Sequence, residues 1–223
     1  MNVLITAGPT REWMDPVRFI SNPSSGKMGY ALAEAAREAG ARVTLVSGPT
    51  ALPSPRGIET IRVETAAEMA REVFLRAKRA DIIILCAAVA DWTPARRARQ
   101  KIKKSEVGGR RPGFTLRLKP TVDIAAVLGR KRRRRGQVLV GFAAETRRVE
   151  ANARGKLERK KLDLIVANDV SEAGAGFGVD TNKVILIDRH GRVERPPRAS
   201  KQTLARKILR RAWKMREELL EAQ

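Results

Sequence analysis

Cysteine and histidine are almost missing from this chain of 223 residues, which has one of each, Cys86 and His190. A single thiol cannot close an intramolecular disulfide, and without a nearby imidazole it does not make a structural zinc site. The only histidine lies in the turn-like Asp188-Arg189-His190-Gly191, so there is no signal of a histidine-based triad. Cys86 is expected to be a small core residue, with a pocket-lining place at a strand end as the alternative. Aromatic residues are only 4% of the chain, which leaves few platforms on which bases could stack. No run of eighteen uncharged apolar residues exists, and Met1–Thr6 enters a strand-like segment without a basic leader. A membrane span is therefore not expected, and a cytoplasmic location is. Two nucleotide fingerprints are also missing. There is no GxGxxG, and the segment ending Gly26-Lys27-Met28 has Ser21 for the first glycine of a P-loop and Met28 for its hydroxyl residue.

What is abundant is positive charge and apolar content. Apolar residues make up 43% of the chain, enough for a substantial core in one large α/β domain or two small ones. Forty-six basic residues against 24 acidic give a net charge of +22, and the excess is regional. Arg96–Arg135 holds sixteen Lys or Arg against Glu106 and Asp123, a net +14 that leaves +8 for the rest. The run Arg130–Arg135 is expected to be solvated loop, ahead of a polyanion-binding site.

Short apolar runs alternate with helical periodicity, the pattern of a parallel sheet covered by helices on both faces. Strands are expected at Val3–Thr6, Val43–Ser47, Ile61–Glu64, Ile82–Ala90, Thr115–Lys119, Val138–Ala144, Leu164–Ala167 and Val184–Ile187. The unbroken apolar run Ile82–Ala90 predicts a central strand. Helices are expected over Gly29–Ala39, Ala66–Lys78, Val122–Gly129 and Val149–Lys160. A C-terminal helix carries the stripe Leu204, Ile208, Ala212, Met215 and Leu219, with Ser200 as its cap. The expected fold is α/β: a Rossmann-like, doubly wound, mostly parallel sheet, residues 1–223 forming one domain. A basic excursion at about 93–113, bounded by Pro94 and Pro112, forms a lid loop.

Ligands in such a sheet sit beyond the carboxyl ends of the strands. The loop after the first strand carries Gly8-Pro9-Thr10 and leads to Asn22-Pro23-Ser24-Ser25-Gly26-Lys27 at a helix start. Small and hydroxylated residues there suit a phosphate, or simply a helix capped by Ser24 or Ser25. Lys101 and Lys103 share a face of an extended segment, and Lys156 and Lys160 stack at i, i+4. Each like-charged pair repels, so each marks either a solvated face or an anion site. The glycine-rich stretch Gly174-Ala175-Gly176-Phe177-Gly178 permits close approach but specifies no chemistry.

Six segments, in order, carry a resemblance: Val3–Glu12, Ile20–Gly29, Cys86–Asp91, Lys101–Lys104, Gly141–Thr146 and Leu162–Asp169. Together they resemble the phosphopantothenate–cysteine ligase family of coenzyme A biosynthesis. The resemblance implies that the carboxylate of 4′-phosphopantothenate attacks CTP to give an acyl-cytidylate and pyrophosphate, after which the amine of cysteine displaces CMP. It implies Mg²⁺ with the nucleotide, no flavin or NAD, a homodimer, and a decarboxylase partner that is often fused in bacteria.

By the same resemblance Asn22 handles the acyl-cytidylate, and Lys101 belongs to a mobile loop that closes over it. Ala87, Ala88, Asp91, Asp123, Ile124 and Phe142 form the nucleotide pocket, and Lys156 and Lys160 hold the triphosphate. Gly8, Pro9 and Thr10, with Ser24, Ser25, Gly26 and Lys27, are assigned to the substrate and phosphate cradle. The chain departs from the family at Pro23 and at Lys119-Pro120-Thr121-Val122-Asp123, the presumed base-reading loop, which bears on CTP over ATP. Two other classes compete. A nucleic-acid-binding module would use the basic 96–135 region, and a dinucleotide oxidoreductase would need the fingerprint this chain lacks.

Overall fold

The computed structural model describes residues 1–103, 114–131, 134–171, 176 and 178–221. In chain order the first strands are β1 (Asn2–Ala7), β2 (Arg11–Trp13), β3 (Phe19–Ser21), β4 (Arg42–Ser47), β5 (Glu59–Arg62), β6 (Ile82–Leu85) and β7 (Trp92–Pro94). They are followed by β8 (Leu118–Pro120), β9 (Val138–Glu145), β10 (Leu164–Asp169), β11 (Thr181–Asn182), β12 (Val184–Asp188), β13 (Val193–Glu194) and β14 (Ala199–Ser200). The helices are α1 (Lys27–Glu38), α2 (Ala66–Ala77), α3 (Ile124–Arg130), α4 (Val149–Arg159) and α5 (Lys201–Glu221).

Eight strands make one sheet in the order β13-β12-β10-β9-β6-β1-β4-β5. From β5 to β10 every neighbour is parallel, while β12 and β13 close one edge antiparallel. The parallel part has the doubly wound order, with its reversal between β1 and β6. Side chains alternate between the two faces. Ile5, Ile82 and Ile84 meet Leu32 of α1 and Leu204, Ile208 and Met215 of α5. Leu4, Ile83 and Leu139 meet Met69 and Val73 of α2, Leu128 of α3 and Leu157 of α4. Ile83 and Ile84 are fully buried, so truncating either to alanine costs about 2–5 kcal/mol.

Local chemistry sets where helices begin. Thr65 caps α2, accepting from the N–H of Glu68, whose carboxylate reaches back to the Thr65 N–H. Ser200 Oγ accepts from the Thr203 N–H at 3.1 Å and so caps α5 as expected. At α1 the expectation fails: the N-cap is Gly26, left-handed at φ 79°, and neither Ser24 nor Ser25 caps the helix. A Cβ on Gly26 would stand 2.6 Å from Thr50 Cγ2, and one on Gly29 would stand 2.5 Å from Ala7 Cβ. The chain enters α1 through a turn glycine tolerates, and α1 then crosses β1 too closely for any side chain.

Three strand expectations are corrected. The run Ile82–Ala90 is strand only to Leu85, because Cys86–Ala90 turns across the sheet's end, bonded to the loop after β1. The third strand covers Glu59–Arg62 instead of Ile61–Glu64. In place of Thr115–Lys119 the strand is Leu118–Pro120, and it pairs with Trp92–Pro94 outside the main sheet. Prolines at both ends of that pair, which cannot donate to a ladder, suit an isolated arm. Residues 104–113 of the expected lid lie outside the described residues, as does most of the glycine-rich stretch 174–178.

Candidate active site

The reversal of strand order leaves a gap where the loops after β1 and β6 part company. Ala88 N–H donates to the Gly8 carbonyl at 2.9 Å, and Thr10 N–H donates to the Ala88 carbonyl at 3.3 Å. Ala87 N–H donates to Thr6 Oγ1 at 3.1 Å, and Ala90 N–H to Thr10 Oγ1 at 3.0 Å. Thr10 is wholly buried. Gly8, Pro9 and Thr10, expected in the phosphate cradle, therefore do not line the cleft. Their bonds shape the Cys86–Ala90 loop that does.

The cleft beyond this gap has a volume of about 490 Å³. Asn22, Ser24, Ser25, Gly26, Lys27, Ala87, Ala88, Asp91, Asp123, Ile124, Phe142, Lys156 and Lys160 all line it. Asn22 Nδ2 donates to the Ala88 carbonyl at 3.1 Å, which ties the segment before α1 to the loop after β6. Thr121 repeats the device from the other side, donating Oγ1 to the Ala90 carbonyl at 2.6 Å. On the α3 and α4 side both lysines are matched by carboxylates. Lys156 Nζ is 2.6 Å from Glu145 Oε1, and Lys160 Nζ is 3.0 Å from Asp123 Oδ2. Asp123 also caps α3, accepting from the Ala126 N–H. Partial burial alone would raise its pKa, but that bond and Lys160 hold it below the usual carboxylate range.

The α1 and α5 side differs. Lys27 Nζ pairs with the exposed Asp180 at 2.7 Å and donates to the Gly178 carbonyl at 3.0 Å. The first turn of α1 carries no acidic residue and no side-chain cap, so its N–H groups keep their positive end toward the cleft. Lys201, the first residue of α5, also lines the cleft and is 6% exposed. Its ammonium donates to the carbonyls of Gly176 and Val179. Burial first, and Lys27 second, lower its pKa from the ordinary lysine value. Cys86, at the end of β6, lines the cleft, and burial pushes its thiol up to about 12. It is a neutral wall residue, without the thiolate a nucleophile needs.

Lys101 is exposed and outside the cleft lining. Its neighbour Ile102 is pinned: the Ile102 N–H donates to Asp15 Oδ2 at 3.1 Å, and Arg18 donates to the Ile102 carbonyl. Asp15 is fully buried, and although burial opposes its charge, the N–H groups of Val17, Ile102 and Arg18 and the Arg18 guanidinium hold its pKa far down. The arginine run is not simply solvated. Arg134 pairs with Asp81 and Arg135 donates to the Leu220 carbonyl at 3.0 Å, tying the segment before β9 to the start of β6 and the end of α5. Arg132 and Arg133 lie outside the described residues. His190 is exposed in its turn, as expected.

Lys201, Asn168 and Asn182 line the cleft and were not singled out from sequence. Lys201 carried a signal: a cation at the first position of a helix opposes the helix dipole. Asn168 sits at the carboxyl end of β10, where ligand-facing residues belong. Among the described residues no group of three metal-ligating side chains occurs, and no helix is long and apolar enough to cross a membrane. Four lysines, a helix N-terminus and three asparagines around one cleft are equipped to hold a ligand rich in charged oxygens, with the amides to orient it.

The family described as DNA/pantothenate metabolism flavoprotein C-terminal domain matches residues 1–215. The chain is 52% identical over 209 residues to the coenzyme A biosynthesis bifunctional protein CoaBC of Bacillus subtilis (strain 168), covering 93% of this chain and 50% of that protein. It is 49% identical over 209 residues to the protein of the same name from Vibrio vulnificus (strain CMCP6), covering 94% and 51%. The chain thus spans about half the length of the curated relatives it matches. Its fold is similar to the crystal structure of the C-terminal domain of CoaBC, with a TM-score of 0.80 and 42% identity over 97% of this chain and 96% of that one. With the Rossmann-like sheet, the ordered motifs and this match over nearly its whole length, the chain belongs to the DNA/pantothenate metabolism flavoprotein C-terminal domain family.

Proposed function

We propose that the chain is a single ligase domain that joins cysteine to 4′-phosphopantothenate, consuming CTP and releasing CMP and pyrophosphate. The observation that carries this reading is the convergence of Asn22, Asp91, Lys27, Lys156 and Lys160 on one cleft at the strand-order reversal. In the first step a carboxylate oxygen of 4′-phosphopantothenate attacks the α-phosphorus of CTP as the bond to pyrophosphate breaks. In the second, the amine of cysteine attacks the acyl carbon and CMP leaves.

Both steps move negative charge onto phosphate oxygens, where fixed cations lower the barrier most. Lys156 and Lys160 hold the triphosphate, and Glu145 and Asp123 keep both ammonium groups aimed before it arrives. Ala87, Ala88, Asp91, Asp123, Ile124 and Phe142 surround the nucleotide, and Asn22 both donates to and accepts from the mixed anhydride. Ser24, Ser25, Gly26 and Lys27 cradle phosphate, while Gly8, Pro9 and Thr10 act through the Ala88 loop they support. Lys101 reaches the intermediate when its loop closes. Mg²⁺ fits as an ion carried by the nucleotide, since it needs only one or two protein carboxylates. Asp91, which has no ion pair among the described residues, is the carboxylate available to it, and the ion would neutralise phosphate charge.

A homodimer is part of the reading. Val17, Phe19, Trp92 and Leu118 are exposed on or beside the β2–β3 and β7–β8 arms, and a second copy would cover such a surface. By the family resemblance a decarboxylase is a fused or separate partner, and the location is read as cytoplasmic. The test is to mix the protein with CTP, Mg²⁺, 4′-phosphopantothenate and cysteine. Pyrophosphate release that requires both CTP and 4′-phosphopantothenate supports the assignment, and its absence overturns it.

A further inference from the structure

Lysine 201 is in an unusual place. The residue is 6% exposed, it is the first of a 21-residue helix whose dipole repels it, and Lys27 stands close enough to disfavour its charge further. Among the described residues no carboxylate lies within ion-pairing distance of its ammonium, which bonds only to two backbone carbonyls. Carbonyl dipoles compensate a buried cation poorly, and Asp180, which favours the charge without an ion pair to it, is itself bonded to Lys27, so the compensation is partial and the charge costly. An anion entering the cleft that Lys201 lines would complete that compensation.

We propose that Lys201 and Lys27 form a phosphoryl-binding site on the α1 and α5 side of the cleft, making Lys201 a substrate-binding residue in its own right. The site is separate from Lys156 and Lys160, which come from a helix on the opposite face of the sheet. The inference deepens the ligase reading and rests on it only for the identity of the phosphate. Two sources share the chemistry: the polyphosphate of the nucleotide and the phosphomonoester of 4′-phosphopantothenate. When that anion binds, Lys201 exchanges part of its bonding with the Gly176 and Val179 carbonyls for phosphate oxygens. Phosphoryl binding is thereby coupled to the loop that carries those carbonyls.

The test uses the full chain and the variants Lys201→Met, Lys201→Arg and Lys27→Met. Inorganic tripolyphosphate is the first probe, read as the rise in Tm at saturating concentration. The rise should shrink strongly in Lys201→Met, recover in part in Lys201→Arg, and shrink less in Lys27→Met. Without ligand, Lys201→Met should melt at or above the parent temperature, because a costly buried charge is gone. Steady-state pyrophosphate release then identifies the source. Loss of one charge-assisted bond to a phosphate raises the KM of the substrate that carries it by about 10- to 100-fold, and moves the KM of the other little. An elevated CTP KM assigns the nucleotide, and an elevated 4′-phosphopantothenate KM assigns the monoester. Either result supports the site. Lower Tm in Lys201→Met, with an undiminished tripolyphosphate response and both KM values unchanged, would make Lys201 a tether for the loop and overturn the proposal. Should Lys201→Met fail to fold, an undiminished response in Lys27→Met overturns it equally. If the parent releases no pyrophosphate but the tripolyphosphate response depends on Lys201, the ligase reading falls and the site stands.

Discussion

The two flanks of the cleft hold the same number of lysines but match them with carboxylates to different degrees. On the α3 and α4 flank each ammonium has a carboxylate within 3.0 Å, Glu145 for Lys156 and Asp123 for Lys160. On the α1 and α5 flank Lys27 pairs with the exposed Asp180, and Lys201 bonds to carbonyls, with Asp180 favouring its charge but not ion-paired to it. A paired lysine is pre-oriented, but its attraction for a ligand is divided with its partner. An unpaired buried lysine is costly to the apo fold and gives its full charge to the ligand. Pairing therefore measures how much of each charge is reserved for an incoming anion.

The largest effect should come from the paired flank when both cations are removed together. Lys156→Met with Lys160→Met should raise the KM for CTP about 100-fold or more by pyrophosphate release, each charged bond contributing about 1.5–3 kcal/mol. A change under threefold would break the comparison. A smaller effect is expected from removing a partner. Asp123→Ala frees Lys160 but removes the cap of α3, so Tm should fall, with about 1 kcal/mol lost at the cap, while the CTP KM changes only a few-fold. Equal damage from both changes would mean that the carboxylate, and not the lysine, meets the ligand.

The smallest and most diagnostic effect is in pH. Asp123 and Asp180 have pKa values below the ordinary carboxylate range, Asp180 chiefly through its bond from Lys27. A depressed folded pKa contributes stability that is fully present above about pH 4 and is lost as pH falls through the folded value. Lys201 has the same sign of linkage in an alkaline window, although here the lowered pKa marks a charge the fold disfavours. Its folded pKa lies below the unfolded one, so between the two the unfolded chain binds more protons and stability rises with pH. Urea midpoints should therefore fall on acidification below pH 4 in both parent and Lys201→Met. As pH rises toward 10.5, the parent should gain on Lys201→Met. Parallel curves at alkaline pH would remove the distinction between the flanks.

Much of the architecture was legible in the sequence because parallel strands buried on both faces must be apolar, and β1, β4, β9 and β10 are. Patterning failed where tertiary bonds override it. Cys86–Ala90 is as apolar as a strand, yet Thr6, Gly8 and Thr10 bend it across the gap between β1 and β6. Lys156 and Lys160 were visible as a repelling i, i+4 pair, but Glu145 and Asp123, which relieve the repulsion, come from distant segments. Gly8–Thr10 looked like a ligand loop because glycine and threonine suit both a phosphate and a loop-to-loop brace. Lys201 was missed because its neighbours in space, Lys27 and the 176–179 carbonyls, are far away in sequence and no local motif joins them.

The most direct test of the central claim is a crystal structure of the protein with CTP and Mg²⁺ bound. The account predicts the triphosphate within hydrogen-bonding distance of Lys156 and Lys160, with the base against Phe142 and Ile124. A nucleotide bound elsewhere, or one whose phosphates touch neither Lys156 nor Lys160, would contradict it.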